Sequence, residues 1–147
     1  MSDEPYLLDV NLLVALAWPP HRFHEAAQKW FSHACRNGWA TCPFTQAGFI
    51  RVISNPAVTA GAITPAQAVQ ILRANLDHRR HVFWPAEIGY PQALEILGMP
   101  LVGHRQVTDA YLLALAIHHK GKLATFDRAA MSLLPPKHSH LNSIELL

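Results

Sequence analysis

The stretch VTDAYLLALAIHHKGKLATFD, residues 107–127, carries a helical apolar repeat straight into a short β-type run. Apolar spacing from Val107 to about His119 predicts a helix, and Lys120-Gly121 ends it. Lys122 to Phe126 (KLATF) then reads as a strand that stops at Asp127. Near the N-terminus the order is reversed: Tyr6-Leu7-Leu8 forms a short strand ending at Asp9, and a helix over Asn11–Ala17 is halted by Trp18-Pro19-Pro20. Between these units the spacing of Phe23, Ala26, Ala27, Trp30, Phe31 and Ala34 predicts a helix within His21–Asn37. A strand is expected over Trp39–Cys42 and a helix over Thr45–Ser54, closed by the Asn55-Pro56 turn signal. Thr64-Pro65 is an N-cap followed by proline at the first helical position, starting a helix that runs through Leu76. A strand at His81–Trp84, a helix at Pro91–Leu97, a loop over 98–105 and a last strand near Leu141–Ile144 complete the reading. Strands alternating with helices imply βαβ units and an α/β fold with a mainly parallel sheet. No linker, repeat or low-complexity tract divides residues 1–147, so one domain is expected.

Composition agrees. The 147 residues are 50% hydrophobic and 15% charged, the reverse of a disordered chain. Apolar runs are interrupted well before the roughly 18 residues a membrane span needs. The start Met1-Ser2-Asp3-Glu4-Pro5 is acidic where a secretory signal would be basic, which points to a cytoplasmic protein with no membrane partner. Cys35 and Cys42 form no CxxC pair and no four-ligand zinc pattern, so buried free thiols are expected. Net charge is only +2, although eight of the twelve basic residues are arginine, the side chain best suited to bidentate phosphate contacts.

The chemistry-bearing residues are aspartates. Only five occur, and three occupy matching points: Asp9 after the first strand, Asp127 after the Lys122–Phe126 strand, and Asp109 in the first turn of the strongest helix. Carboxyl ends of parallel strands and the neighbouring helix starts form the crevice where ligands bind. Residues three, four and seven positions beyond Asp109 are Leu112, Leu113 and Ala116, which sets its carboxylate at the top of a buried face. Taken singly, each aspartate has a plain reading as a cap or turn residue. Three at one edge favour a divalent cation, and hard oxygen ligands suit Mg²⁺ or Mn²⁺.

Four blocks carry a resemblance: LLDVNLLVALA (7–17), CPFTQAGFIRVISNP (42–56), HRQVTDAYLLALA (104–116) and LATFDRA (123–129). In this order they resemble the signature blocks of PIN-domain ribonucleases, specifically the toxin half of VapBC toxin–antitoxin modules. The resemblance implies a PIN-like three-layer α/β/α sandwich and an endoribonuclease using Mg²⁺ or Mn²⁺. It places metal-binding carboxylates at Asp9, Asp109 and Asp127, and it implies a 5′-phosphate and a 3′-hydroxyl as products. A cognate antitoxin protein is the implied partner, presenting an amphipathic helix to an apolar groove and a basic residue to the carboxylates. RNA is the implied substrate, and a homodimer is a candidate assembly.

One position departs from the family pattern. Gln46, after Thr45, stands where the family commonly has an acid; its carbonyl can ligate a cation but brings no charge. Supporting roles are expected for Asn11, as a hydrogen-bond partner of a site carboxylate, and for Thr125, on the same side of its strand as Asp127. Arg51, His104 and Arg105 are candidates for RNA contact. The histidine pairs 21/24, 78/81 and 138/140 lack a second ligand pair and are read as solvated or capping residues. Trp30, Phe31 and Phe49 are read as packing. Two other functions fit parts of the pattern: a PIN-like domain weakened in catalysis that binds RNA or antitoxin, and a receiver-like phosphoacceptor module, which the missing acidic pair after the first strand disfavours. No G-x-S-x-G turn, Ser/His/Asp arrangement or Gly-rich phosphate loop is present.

Overall fold

A computed structural model describes residues 4–147; the acidic start at Met1, Ser2 and Asp3 lies outside the described residues. The chain runs β1 (Tyr6–Leu8), α1 (Val10–Ala17), α2 (His24–Ala34), β2 (Trp39–Thr41), α3 (Pro43–Ile53), α4 (Pro56–Thr59), α5 (Pro65–Leu76), β3 (His81–Phe83), α6 (Tyr90–Leu97), α7 (Val107–His118), β4 (Lys122–Thr125) and β5 (Ile144–Leu146). Short 3-10 segments occupy Cys35–Asn37, His104–Gln106, Arg128–Leu133 and Leu141–Ser143.

The strands form one sheet in the order β3-β2-β1-β4-β5, and every pairing is parallel. Side chains alternate across it, as the period of two requires. Leu7 and Leu123 face a cluster built with α6 and α7, including Leu97, Leu112 and Leu115. Tyr6, Leu8 and Ala124 face the opposite cluster with Leu12, Phe49, Ile53 and Leu72 from α1, α3 and α5. This is the expected α/β/α arrangement. Phe49 is fully buried as anticipated, and Trp30 and Phe31 pack against the same cluster. Each large apolar side chain so buried contributes on the order of 1.5–3 kcal/mol by leaving water. Cys35 and Cys42 are free and buried.

Local signals explain most boundaries. At α5, Thr64 Oγ1 accepts the Gln67 N–H at 3.1 Å, while Gln67 Oε1 accepts the Thr64 N–H at 2.8 Å. This reciprocal cap fixes the start of the helix. Helix α7 is buried on every side from Ala110 to Ala116, so it lies inside the molecule between the sheet and α6. At Gly48 of α3 a side chain would run into Val10 at the start of α1, and the two helices meet this closely only because none is there.

The final strand is a correction. The expected position, Leu141–Ile144, is largely a 3-10 turn over Leu141–Ser143, and β5 begins at Ile144. Its register is set by β4, with Leu123 opposite Ile144 and Thr125 opposite Leu146. Three residues carry too little periodicity to place a strand without its neighbour. The helix within 21–37 likewise starts later, at His24, because the His24 N–H is bonded in a turn to the His21 carbonyl. No helix among the described residues is long and apolar enough to cross a membrane.

Candidate active site

Strand order fixes where a site can form. From β1 the chain moves outward through β2 and β3, then returns to the other side of β1 to lay down β4 and β5. The crevice at such a switch point opens at the carboxyl ends of the two strands flanking it. Those strands are β1 and β4, followed by Asp9 and, two residues beyond Thr125, Asp127. A receiver-like sheet would run 2-1-3-4-5, and the observed order excludes that reading.

Asp9 is 7% exposed, and each of its carboxylate oxygens accepts one hydrogen bond. It is the N-cap of α1: Oδ1 accepts the Leu12 N–H at 2.8 Å. Its other oxygen, Oδ2, accepts the Thr125 hydroxyl at 2.5 Å across the β1/β4 pair. The Asp9 N–H donates to the Ala124 carbonyl at 3.1 Å, holding the residue in line with the end of β4. Thr125 Oγ1 in turn accepts the Asp127 N–H at 2.9 Å. Thus one buried hydroxyl connects two of the aspartates. Asp127 Oδ1 accepts the Ala129 N–H at 2.9 Å, opening the 3-10 turn that follows.

Asp109 has no capping role. The residue preceding α7 is Gln106, whose side chain makes no cap bond, and Asp109 sits inside the first turn. It does not cap the helix. For Asp9 and Asp127 the capping reading is met by one carboxylate oxygen each, which leaves lone pairs for another partner.

Electrostatics tie the three together. Burial pushes Asp9 up to about 6; the Thr125 and Leu12 hydrogen bonds oppose this, and the charges of Asp109 and Asp127 add to it. Asp109 is raised by burial and then by Asp127. Among the described residues no Lys, Arg or His is ion-paired with Asp9, Asp109 or Asp127. Three carboxylates whose charges act on one another, with no cationic side chain paired to them, are candidate ligands of a hard divalent ion.

The remaining expected residues are placed less uniformly. Gln46 is half-buried in the first turns of α3, and its Nε2 donates to Thr41 Oγ1 at 3.0 Å rather than to an aspartate. Thr41 Oγ1 also lies 2.8 Å from His81 Nε2, so Gln46, Thr41 and His81 form a chain along the β2 end. Thr45 is used internally, as its hydroxyl accepts the Cys42 N–H at 3.0 Å. Asn11 is exposed, and both oxygens of Asp9 are bonded to Leu12 and Thr125 instead. Arg51 is exposed on α3, and His104 and Arg105 are exposed in the 3-10 turn leading into α7. An apolar groove of about 310 Å³, lined by Phe44, Ile88, Tyr90, Val107 and Tyr111, opens beside Thr108, next to Asp109.

Sequence reading missed two features: the Gln46–Thr41–His81 chain and a cluster of Glu87, His118 and His119 whose ligand atoms lie within 4.8 Å of one another. His118 lies at the opposite end of α7 from Asp109, roughly 13 Å along the helix at 1.5 Å per residue. The adjacent histidines were the only signal, since Glu87 is far off in sequence.

The PIN domain model matches residues 6–132, and the chain belongs to the PIN-domain family. Among particular relatives it is 46% identical over 125 residues to Ribonuclease VapC39 of Mycobacterium tuberculosis, covering 84% of this chain and 88% of that protein. Two solved structures share the fold. PAE2754 from Pyrobaculum aerophilum superposes with a TM-score of 0.59 at 20% identity, covering 98% of this chain and 85% of that one. VapBC2 from Rickettsia felis, bound to a DNA fragment from its promoter, gives 0.57 at 15% identity and covers 97% and 96%.

Proposed function

We propose that this chain is an endoribonuclease, the toxin of a VapBC-type toxin–antitoxin pair, and that it works with Mg²⁺ or Mn²⁺. The observation that carries the reading is the gathering of Asp9, Asp109 and Asp127 at the sheet's switch point with no cationic side chain paired to them. The ribonuclease name of the Mycobacterium relative supports RNA as the substrate, and the VapBC name of the Rickettsia structure supports an antitoxin as the partner.

Asp9, Asp109 and Asp127 would hold the cation. A divalent ion there supplies activation of water and neutralisation of charge at a phosphate. The chain's own residues do the rest. Thr125 and the Leu12 N–H fix the Asp9 carboxylate, so no reorganisation is needed when charge changes at the site. Asp127 is oriented by the Thr125 hydroxyl and the Ala129 N–H. Gln46 would contribute an amide carbonyl while its NH₂ stays on Thr41. Arg51, His104 and Arg105 offer exposed positive or hydrogen-bonding groups to RNA phosphates. In the net reaction a water oxygen bonds to phosphorus, the P–O3′ bond breaks, and a proton passes to the departing 3′ oxygen.

The reading is tested by incubating purified protein with total RNA, with and without Mg²⁺ or Mn²⁺, and mapping the ends. Cleavage that needs the ion and disappears in Asp109→Asn supports it. Ion-independent RNA binding without cleavage would favour the weakened-domain alternative, to which the uncharged Gln46 lends support. Expression alone should slow growth, and co-expression with the adjacent reading frame should restore it.

A further inference from the structure

Glu87 lies between β3 and α6, while His118 ends α7 and His119 is its C-cap, with φ −89° and ψ 8°. Adjacent residues in a helix diverge around its axis, so two neighbouring imidazoles can converge here because the helix stops between them. Glu87 Oε1 is 3.2 Å from His118 Nε2 and 3.1 Å from His119 Nε2. The His119 ring lies flat on buried Trp84, with centroids 4.5 Å apart and planes 10° from parallel, which fixes where its Nε2 points. That nitrogen is buried and has no hydrogen-bond partner, because its approach to Glu87 is close but wrongly angled. A buried polar atom without a partner calls for an explanation.

We propose that Glu87, His118 and His119 form a second cation site, separate from the aspartate edge and suited to Zn²⁺. Two imidazoles and one carboxylate are the donor set of a borderline-soft ion, whereas Mg²⁺ and Mn²⁺ prefer oxygen alone. A tetrahedral ion with bonds of about 2.0–2.1 Å separates its ligand atoms by roughly 3.3 Å, close to the two Glu87–histidine spacings, and all three ligand atoms lie within 4.8 Å of one another. Glu87 is 46% exposed and His118 35%, so the fourth position faces solvent. A bound ion would clamp the β3–α6 connection to the far end of the helix that carries Asp109. The site stands independently of the nuclease reading.

The test is calorimetric titration of the full chain with Zn²⁺ in excess Mg²⁺, using an Asp9→Asn/Asp109→Asn variant to silence the other edge. One-to-one binding should persist in that variant. Glu87→Gln and His118→Gln, both at partly exposed positions, should each weaken it by at least the roughly 10–100-fold that outer-shell changes alone cost. RNA cleavage by His118→Gln should be unchanged in Mg²⁺. As a second measurement on the unaltered protein, the His118 and His119 ring resonances should shift with Zn²⁺ and not with Mg²⁺. Absence of one-to-one binding, Zn²⁺ affinity in the Gln variants equal to that of the parent, or ring shifts that follow only protonation would reduce the cluster to an ordinary Glu–His ion pair and overturn the proposal.

Discussion

The Thr125 hydroxyl donates to Asp9 Oδ2 at 2.5 Å while accepting the Asp127 N–H at 2.9 Å, so one side chain sets the position of two aspartates 118 residues apart in sequence. Thr125→Val keeps the shape and removes both bonds. Leaving buried polar groups unpaired costs about 1–3 kcal/mol, so urea unfolding should show a loss of that size. Mn²⁺ affinity should fall with it, and Thr125→Ser should recover most of both. Equal stability of the Val variant and the parent would show that the hydroxyl bridge does not organise the site.

Metal-free protein should lose stability at this site as pH rises from about 4 through 6. Asp9 titrates near 6 when folded, against roughly 3.9 in an unfolded chain. The folded state therefore binds the proton more tightly across that window, and the advantage is gone once pH exceeds the folded value. Two units correspond to on the order of 3 kcal/mol. Asp109 acts in the same direction, while His21, His81 and His119, all lowered mainly by burial, oppose it. The contribution is isolated by comparing thermal melts of the parent and Asp9→Asn at several pH values. The variant should be the more stable near pH 7 without metal, and Mn²⁺ should narrow or reverse the gap.

Gln46→Glu tests the departure from the family pattern. A carboxylate here adds negative charge near the edge, offset by its own desolvation and by crowding, and Mn²⁺ binding should tighten about tenfold, or 1.4 kcal/mol. The same change removes the NH₂ that now donates to Thr41, so the Thr41 hydroxyl would turn toward the new carboxylate and His81 Nε2 would have to donate. The His81 tautomer, read from its ring nitrogen shifts, should change. Identical Mn²⁺ affinity by calorimetry would remove position 46 from the site.

Gly48→Ala should destabilise by about 1–3 kcal/mol, because the new methyl meets Val10 in a packed interface. Val10 adjoins Asp9, so the displaced helix start should also weaken Mn²⁺ binding. Denaturant midpoints and metal titration of the same variant report the two effects separately.

Much was legible in the sequence because it is local. The N-cap Thr64 and the proline after it mark the start of α5 without any tertiary contact, and the structure adds the reciprocal bond from Gln67. The alternation of short strands and helices dictates a parallel α/β sheet, and the positions of Asp9, Asp109 and Asp127 at strand ends and a helix start bring out the carboxylate edge. Tertiary structure decided what depends on partners distant in the chain. Pairing with β4 sets β5 at Ile144–Leu146, since three residues have no period of their own. Strand order decides that β1 and β4 flank the crevice. Side-chain geometry takes the Gln46 amide to Thr41, leaves Asn11 in solvent, and joins Glu87 to two histidines at the end of α7. Hydrogen-bond directions and ligand spacings of a few ångströms depend on how whole elements pack, and apolar periodicity records only which face of an element is buried.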